Sequence, residues 1–178
     1  MIDDRGATSI DWRGRVGTVD RLRILFVCTG NVCRSPTAEG VLRYKARLHG
    51  LSSVIECDSA GTDVYHVGQP PSPRAIRRAA LRGYDLRDLR ARALTPEDFG
   101  AFHMMLAMDR GHLRVLRRTV RWRRGAQARL FLDYAIGLGG LREVPDPFNG
   151  DAGDYDHALD LIEAGCDGIL QALQRKRA

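Results

Sequence analysis

Val27-Cys28-Thr29-Gly30-Asn31-Val32-Cys33-Arg34-Ser35-Pro36 is the stretch on which the reading of this chain turns. A Cys and an Arg stand six positions apart, with a Gly-Asn pair between them. An apolar run, Leu22 to Val27, precedes the segment, broken only by Arg23, and a helix-like stretch, Ala38 to Leu48, follows it. The pattern is strand, tight loop, helix. Backbone N–H groups of such a loop, backed by a helix N-terminus, form a site for a tetrahedral anion. The same positive field favours a thiolate at Cys28. Arg34 adds a planar fork that grips two oxygens at once. A nucleophile at the bottom of an anion cradle points to phosphoryl transfer through a cysteinyl phosphate. The expected phosphate-binding residues are Thr29, Gly30, Asn31, Val32, Cys33, Arg34 and Ser35. Asn31 tolerates left-handed backbone, and its amide is placed to brace the loop. Ser35 is placed to donate a hydrogen bond to the Cys28 thiolate.

Outward from this loop, the chain alternates strand and helix signals. Val54 to Cys57, Met104 to Met108 and Ala128 to Leu132 read as further strands. Pro73 to Arg82 reads as a helix with Pro at its start and Gly83 just past its end. Thr95 to Phe99 reads as a capped turn, with Thr95 as N-cap and Asp98 three residues on. Asp154 to Gln174 reads as a long amphipathic helix interrupted by Gly165 and Gly168. Strands alternating with helices imply a parallel α/β sheet. In such a sheet the site lies beyond the carboxyl ends of the strands, where Cys28 falls.

The 178 residues suit one domain. Residues 1–20 mix Asp, Arg, Gly and Ser without periodicity and read as a flexible N-terminal extension, leaving 21–178 as the domain. Four Cys in a chain of this length do not form a disulfide scaffold pattern. No stretch approaches the roughly 18 apolar residues of a membrane span. The N-terminus, with Asp3, Asp4 and Asp11, has no signal-peptide core. The expectation is a cytoplasmic protein, with export lacking a signal peptide left open. Net charge is +6, nearly all from Arg, since Lys45 and Lys176 are the only lysines. Arg114, Arg117, Arg118, Arg121, Arg123 and Arg124 cluster with only Trp122 among them. Single-stranded nucleic-acid sites interleave more aromatics, so a solvated helix end and loop is the favoured reading, with no specific nucleic-acid binding. His66, His103, His112 and His157 stand alone, without zinc spacing. Cys57 and Cys166 read as core thiols.

Residues 28–36 resemble the signature loop of the low-molecular-weight protein tyrosine phosphatases. Asp58-Ser59-Ala60-Gly61-Thr62 resembles that family's second block, Leu94 to Phe99 with Ala107-Met108-Asp109 a third, and Asp146-Pro147-Phe148 the block with its general acid. The resemblance runs from about Arg21 to the C-terminus. It implies a single three-layer α/β domain: a four-stranded parallel sheet flanked by helices, with the phosphatase loop between first strand and first helix. It implies Cys28 as nucleophile, Arg34 as phosphate clamp, Asp146 as general acid and base, and no metal or other cofactor. It implies Ser59 as loop support and Tyr65 and Phe148 as walls for a substrate ring, hence a phosphotyrosine-containing protein substrate. A reversible Cys28–Cys33 disulfide is also a family property. Oligomeric state is not read from the sequence.

The chain departs from the pattern in places. Asn149 follows Phe148 where a second aromatic is usual, Leu89 stands where a buttressing His is usual, and His112 where an Asn is common. Three competing readings remain. A protein-arginine phosphatase usually carries Thr at the position of Val32. An arsenate reductase needs a downstream Cys relay. A non-catalytic phosphate-binding module would not need Cys28, Arg34 and Asp146 together.

Overall fold

A computed structural model describes residues 21–120 and 126–175. Residues 1–20, the Arg121-Trp122-Arg123-Arg124 part of the basic cluster, and Lys176 lie outside them. Four strands, β1 (Leu22–Cys28), β2 (Ile55–Gly61), β3 (Met104–Ala107) and β4 (Gln127–Leu130), form one parallel sheet in the order β2-β1-β3-β4. Helices α1 (Arg34–Leu48), α2 (Pro73–Leu81), α3 (Asp98–Ala101), α4 (Arg110–Val120) and α5 (Ala152–Arg175) flank it, with a 3-10 turn at Phe131–Tyr134. This is the three-layer α/β fold expected.

The central position of β1 follows from its sequence. A continuous apolar run has no polar face to offer water, so it is buried on both sides. Its side chains alternate across the sheet. Leu22, Ile24 and Phe26 pack with α1 and α5, and Phe26 meets Phe131 edge-on at 5.2 Å between ring centres. Leu25 and Val27 pack with Phe99, Leu113 and Leu116 on the other face.

Several boundaries differ from the sequence reading. Helix α1 begins at Arg34 rather than Ala38, with Pro36 in its first turn, where a missing N–H costs nothing. Strand β2 runs on to Gly61 rather than ending at Cys57, so Ser59 is a strand residue. Phe131 and Leu132 leave β4 for the 3-10 turn. Glu97, not Thr95, stands at the N-cap position of α3 and makes no side-chain cap bond; only the return arm of the expected box forms, the Thr95 N–H donating to Asp98 Oδ2 at 2.8 Å. Gly165 and Gly168 do not interrupt α5. A Cβ on Gly168 would stand 1.8 Å from the Tyr134 carbonyl oxygen, so the glycines let the helix press onto the 3-10 turn. Arg114, Arg117 and Arg118 project from the exposed side of α4. Among the described residues no helix is long and apolar enough to cross a membrane.

Candidate active site

The loop from Cys28 to Arg34 leaves the carboxyl end of β1 and enters α1. Its tightest point is Asn31, at φ 55°, the left-handed region that Asn tolerates better than most residues. Asn31 is buried, and its side chain is fully used. Its Nδ2 donates to Ser35 Oγ at 2.9 Å and to Ser59 Oγ at 2.8 Å, while its Oδ1 accepts the Arg92 N–H at 2.9 Å. Ser59 Oγ in turn donates to Glu39 Oε2 at 2.5 Å. Arg92 is fixed by Asp58 at 2.8 Å and Asp98 at 3.0 Å. The loop is therefore braced from β2, from α1 and from the segment before α3. Leu89 is not part of that brace; it packs against the main core, and the backbone of Arg92 meets Asn31 instead. Gly61 is required here, because a Cβ would lie 2.6 Å from the Thr29 carbonyl oxygen.

Cys28 is 3% exposed, with Sγ 3.0 Å from Ser35 Oγ. Asn31 already occupies an acceptor position on that hydroxyl, which leaves its single proton to point at the sulfur or at the Ala60 carbonyl oxygen 3.5 Å away. Arg34, also 3% exposed, has its terminal nitrogens held by the protein. Nη1 donates to Asp109 Oδ2 at 3.0 Å and to the Val144 carbonyl at 3.2 Å. Nη2 donates to Asp146 Oδ2 at 2.7 Å and to Thr29 Oγ1 at 3.5 Å. Nε is buried without a partner. Burial alone would raise the Asp109 carboxyl. The bonds from His112 and Arg34 outweigh it and hold the group well below the usual carboxylate range.

Asp146 stands between Pro145 and Pro147, its Oδ1 accepting the Phe148 N–H at 3.2 Å. It closes one side of a cavity of about 280 Å³ that contains Cys28, Thr29, Gly30, Val32, Cys33 and Arg34. Tyr65, Phe148 and Asn149 stand at the mouth. The structure thus gathers all but three of the site residues read from the sequence into one cavity; Asn31, Ser35 and Ser59 lie beneath it as the brace. Cys33 contributes to the wall, but its sulfur also lies 3.4 Å from both Ser72 Oγ and Tyr155 Oη. Burial pushes the Cys33 thiol up, against the pull of those bonds. Cys57 and Cys166 are core thiols beside α1, bonded to the Glu39 and Ala38 carbonyls. Burial pushes Cys57 up to about 12.

Sequence reasoning did not find Glu39, Arg92, Asp109 or His112 as site residues, nor His66, which lines the mouth with its ring 5.8 Å from that of Phe148. A signal existed for Asp109, which follows a buried strand at the sheet's carboxyl end. Glu39 gave a weaker one, as a carboxylate on the buried face of α1. Burial raises its carboxyl to about 7, against the pull of Ser59 and Arg43. A raised carboxyl holds its proton in the folded state at pH values where the unfolded chain has released it. Its stabilisation is therefore complete below the unfolded value of 4.5 and is lost as pH rises through about 7. Wild type is expected to lose about 3 kcal/mol relative to Glu39→Gln between about pH 4.5 and about pH 8, read from urea midpoints. Parallel pH profiles for the two proteins would show that Glu39 is ionised when folded.

The sequence profile described as low molecular weight phosphotyrosine protein phosphatase matches residues 23–178. A low molecular weight protein-tyrosine-phosphatase of Streptomyces coelicolor is 40% identical over 156 residues, 86% of this chain and 94% of that protein. The crystal structure of YfkJ from Bacillus subtilis superposes with a TM-score of 0.82 at 31% identity, covering 91% of this chain and all of that one. The structure of DARP, a drosophila arginine phosphatase, superposes with a TM-score of 0.78 at 28% identity, covering 84% and 96%.

Proposed function

The chain belongs to the low molecular weight phosphotyrosine protein phosphatase family, and on that premise we propose that it hydrolyses phosphotyrosine through a cysteinyl phosphate on Cys28. One observation carries the reading: a hydroxyl-bonded thiol and a buried guanidinium whose Nε has no partner come from a single loop and line one cavity.

In this mechanism the substrate phosphate enters the loop and binds the backbone N–H groups and Arg34, displacing Asp146 from Nη2. Cys28 Sγ attacks phosphorus in line. The P–S bond forms as the P–O bond to the ring breaks, and the freed Asp146, protonated, gives its proton to the leaving phenolate. Asp146 then takes a proton from water, whose oxygen attacks phosphorus. The P–S bond breaks, and Ser35 donates its hydrogen bond to the departing thiolate. The loop amides and Arg34 hold the equatorial oxygens through both steps.

Tyr65 and Phe148, exposed on the lining of the cavity that holds Cys28, support a flat aryl group as the part of the substrate they would flank. Val32 gives an apolar wall where arginine phosphatases usually have Thr. Phosphotyrosine peptides are expected to be hydrolysed at least about tenfold more efficiently than phosphoarginine or phosphoserine peptides of the same sequence. Activity is expected to be unchanged in excess chelator. A higher kcat/KM for phosphoarginine would move the protein to the other substrate class while leaving Cys28, Arg34 and Asp146 in their roles.

A further inference from the structure

His112 is 5% exposed and touches two of the groups that hold Arg34. Its Nε2 lies 2.9 Å from Thr29 Oγ1, and its backbone N–H donates to Asp109 Oδ1 at 2.9 Å. Its Nδ1 stands 2.9 Å from the same Asp109 oxygen but off the line of a hydrogen bond. Thr29 and Asp109 are the acceptors for Nη2 and Nη1 of Arg34, so one imidazole spans both ends of the guanidinium.

The proton count gives this contact a direction. Asp109 is a carboxylate beside Nδ1, and a negative charge there favours the ring proton on Nδ1. Nε2 then carries a lone pair and accepts the Thr29 hydroxyl proton. Oγ1 is left to present its own lone pairs to Arg34 Nη2. We propose that His112, acting through Thr29, is a positioning residue for Arg34, fixing the plane of its guanidinium within the anion loop. The proposal rests on the phosphatase reading of the site. When substrate displaces Asp146, Thr29 and Asp109 are the side-chain anchors that remain, so the effect of His112 falls on the occupied state.

The test is a double-mutant cycle on the full chain, read by calorimetric binding of inorganic phosphate and by kcat and KM for an aryl phosphate. His112→Leu is expected to weaken phosphate binding about tenfold and to lower kcat by more than it raises KM. In a Thr29→Val background the same change is expected to cost less than about twofold, because the hydroxyl it acts through is gone. In a Thr29→Ser background, which keeps the hydroxyl, the response to His112→Leu should return. An equal loss in all three backgrounds, or none in any, would overturn the proposal. Should His112→Leu fold poorly, nitrogen NMR of the wild-type imidazole decides the same point: a proton on Nδ1 with Nε2 bare is expected, and a proton on Nε2 refutes it. Phosphate binding needs no turnover, so absent hydrolysis would count against the phosphatase reading without touching this result.

Discussion

Cys28→Ser is expected to lower aryl phosphate turnover by on the order of 10³-fold or more, while the protein still binds inorganic phosphate and melts near the wild-type temperature. A serine hydroxyl is a far weaker nucleophile and a worse leaving group, and the hydrogen-bonding neighbour of residue 28, Ser35, is itself a hydroxyl and no base. The anion cradle should survive, because the Asn31, Ser59 and Arg92 brace does not involve the sulfur. Cys33→Ser is the control within the same loop. Its sulfur is engaged by Ser72 and Tyr155, both outside the loop, so a loss of less than about tenfold is expected. Equal losses in the two variants would remove the distinction between nucleophile and wall. Retained turnover in Cys28→Ser would remove the cysteinyl phosphate altogether.

Asp146→Asn should be the second largest effect, and its size should depend on the substrate. With phenyl phosphate, whose leaving oxygen needs a proton as the bond breaks, kcat is expected to fall by about 10²- to 10⁴-fold. With a dinitrophenyl phosphate, whose leaving group departs as a stable anion, the first step needs no acid and the fall should be much smaller. A plot of rate against leaving-group acidity would steepen in the variant. Equal slowing of both substrates would show that Asp146 acts on the loop or on water alone.

The parts of this site legible in the sequence are those carried by neighbours along the chain. Leu22 to Val27 announced a strand buried on both faces, and the Gly-Asn pair after Cys28 announced a turn into a helix. The parts that were not legible are contacts between residues far apart in sequence. Arg34 meets Asp109 and Asp146 across 75 and 112 residues. Ser59 meets Glu39 across the gap between α1 and β2. His112 looked like an isolated histidine until α4 placed its ring against Thr29. Glu39 and Arg92 lie in segments rich in ordinary charged residues, and only burial distinguishes them. The support that Leu89 does not supply was hidden for a related reason: the backbone N–H of Arg92, a group every non-proline residue carries, meets Asn31, and no side-chain pattern marks it.

Arg34 is neutralised by the protein itself, with Asp109 on one nitrogen and Asp146 on another. Asp146 therefore behaves as a tethered competitor, present at a high effective concentration and bound wherever substrate is not. Every phosphate, whether arriving as substrate or leaving as product, is weighed against it. Such a competitor weakens the hold on inorganic phosphate and so speeds the emptying of the site after each turnover. Removing its charge should tighten phosphate binding even as it slows the chemistry.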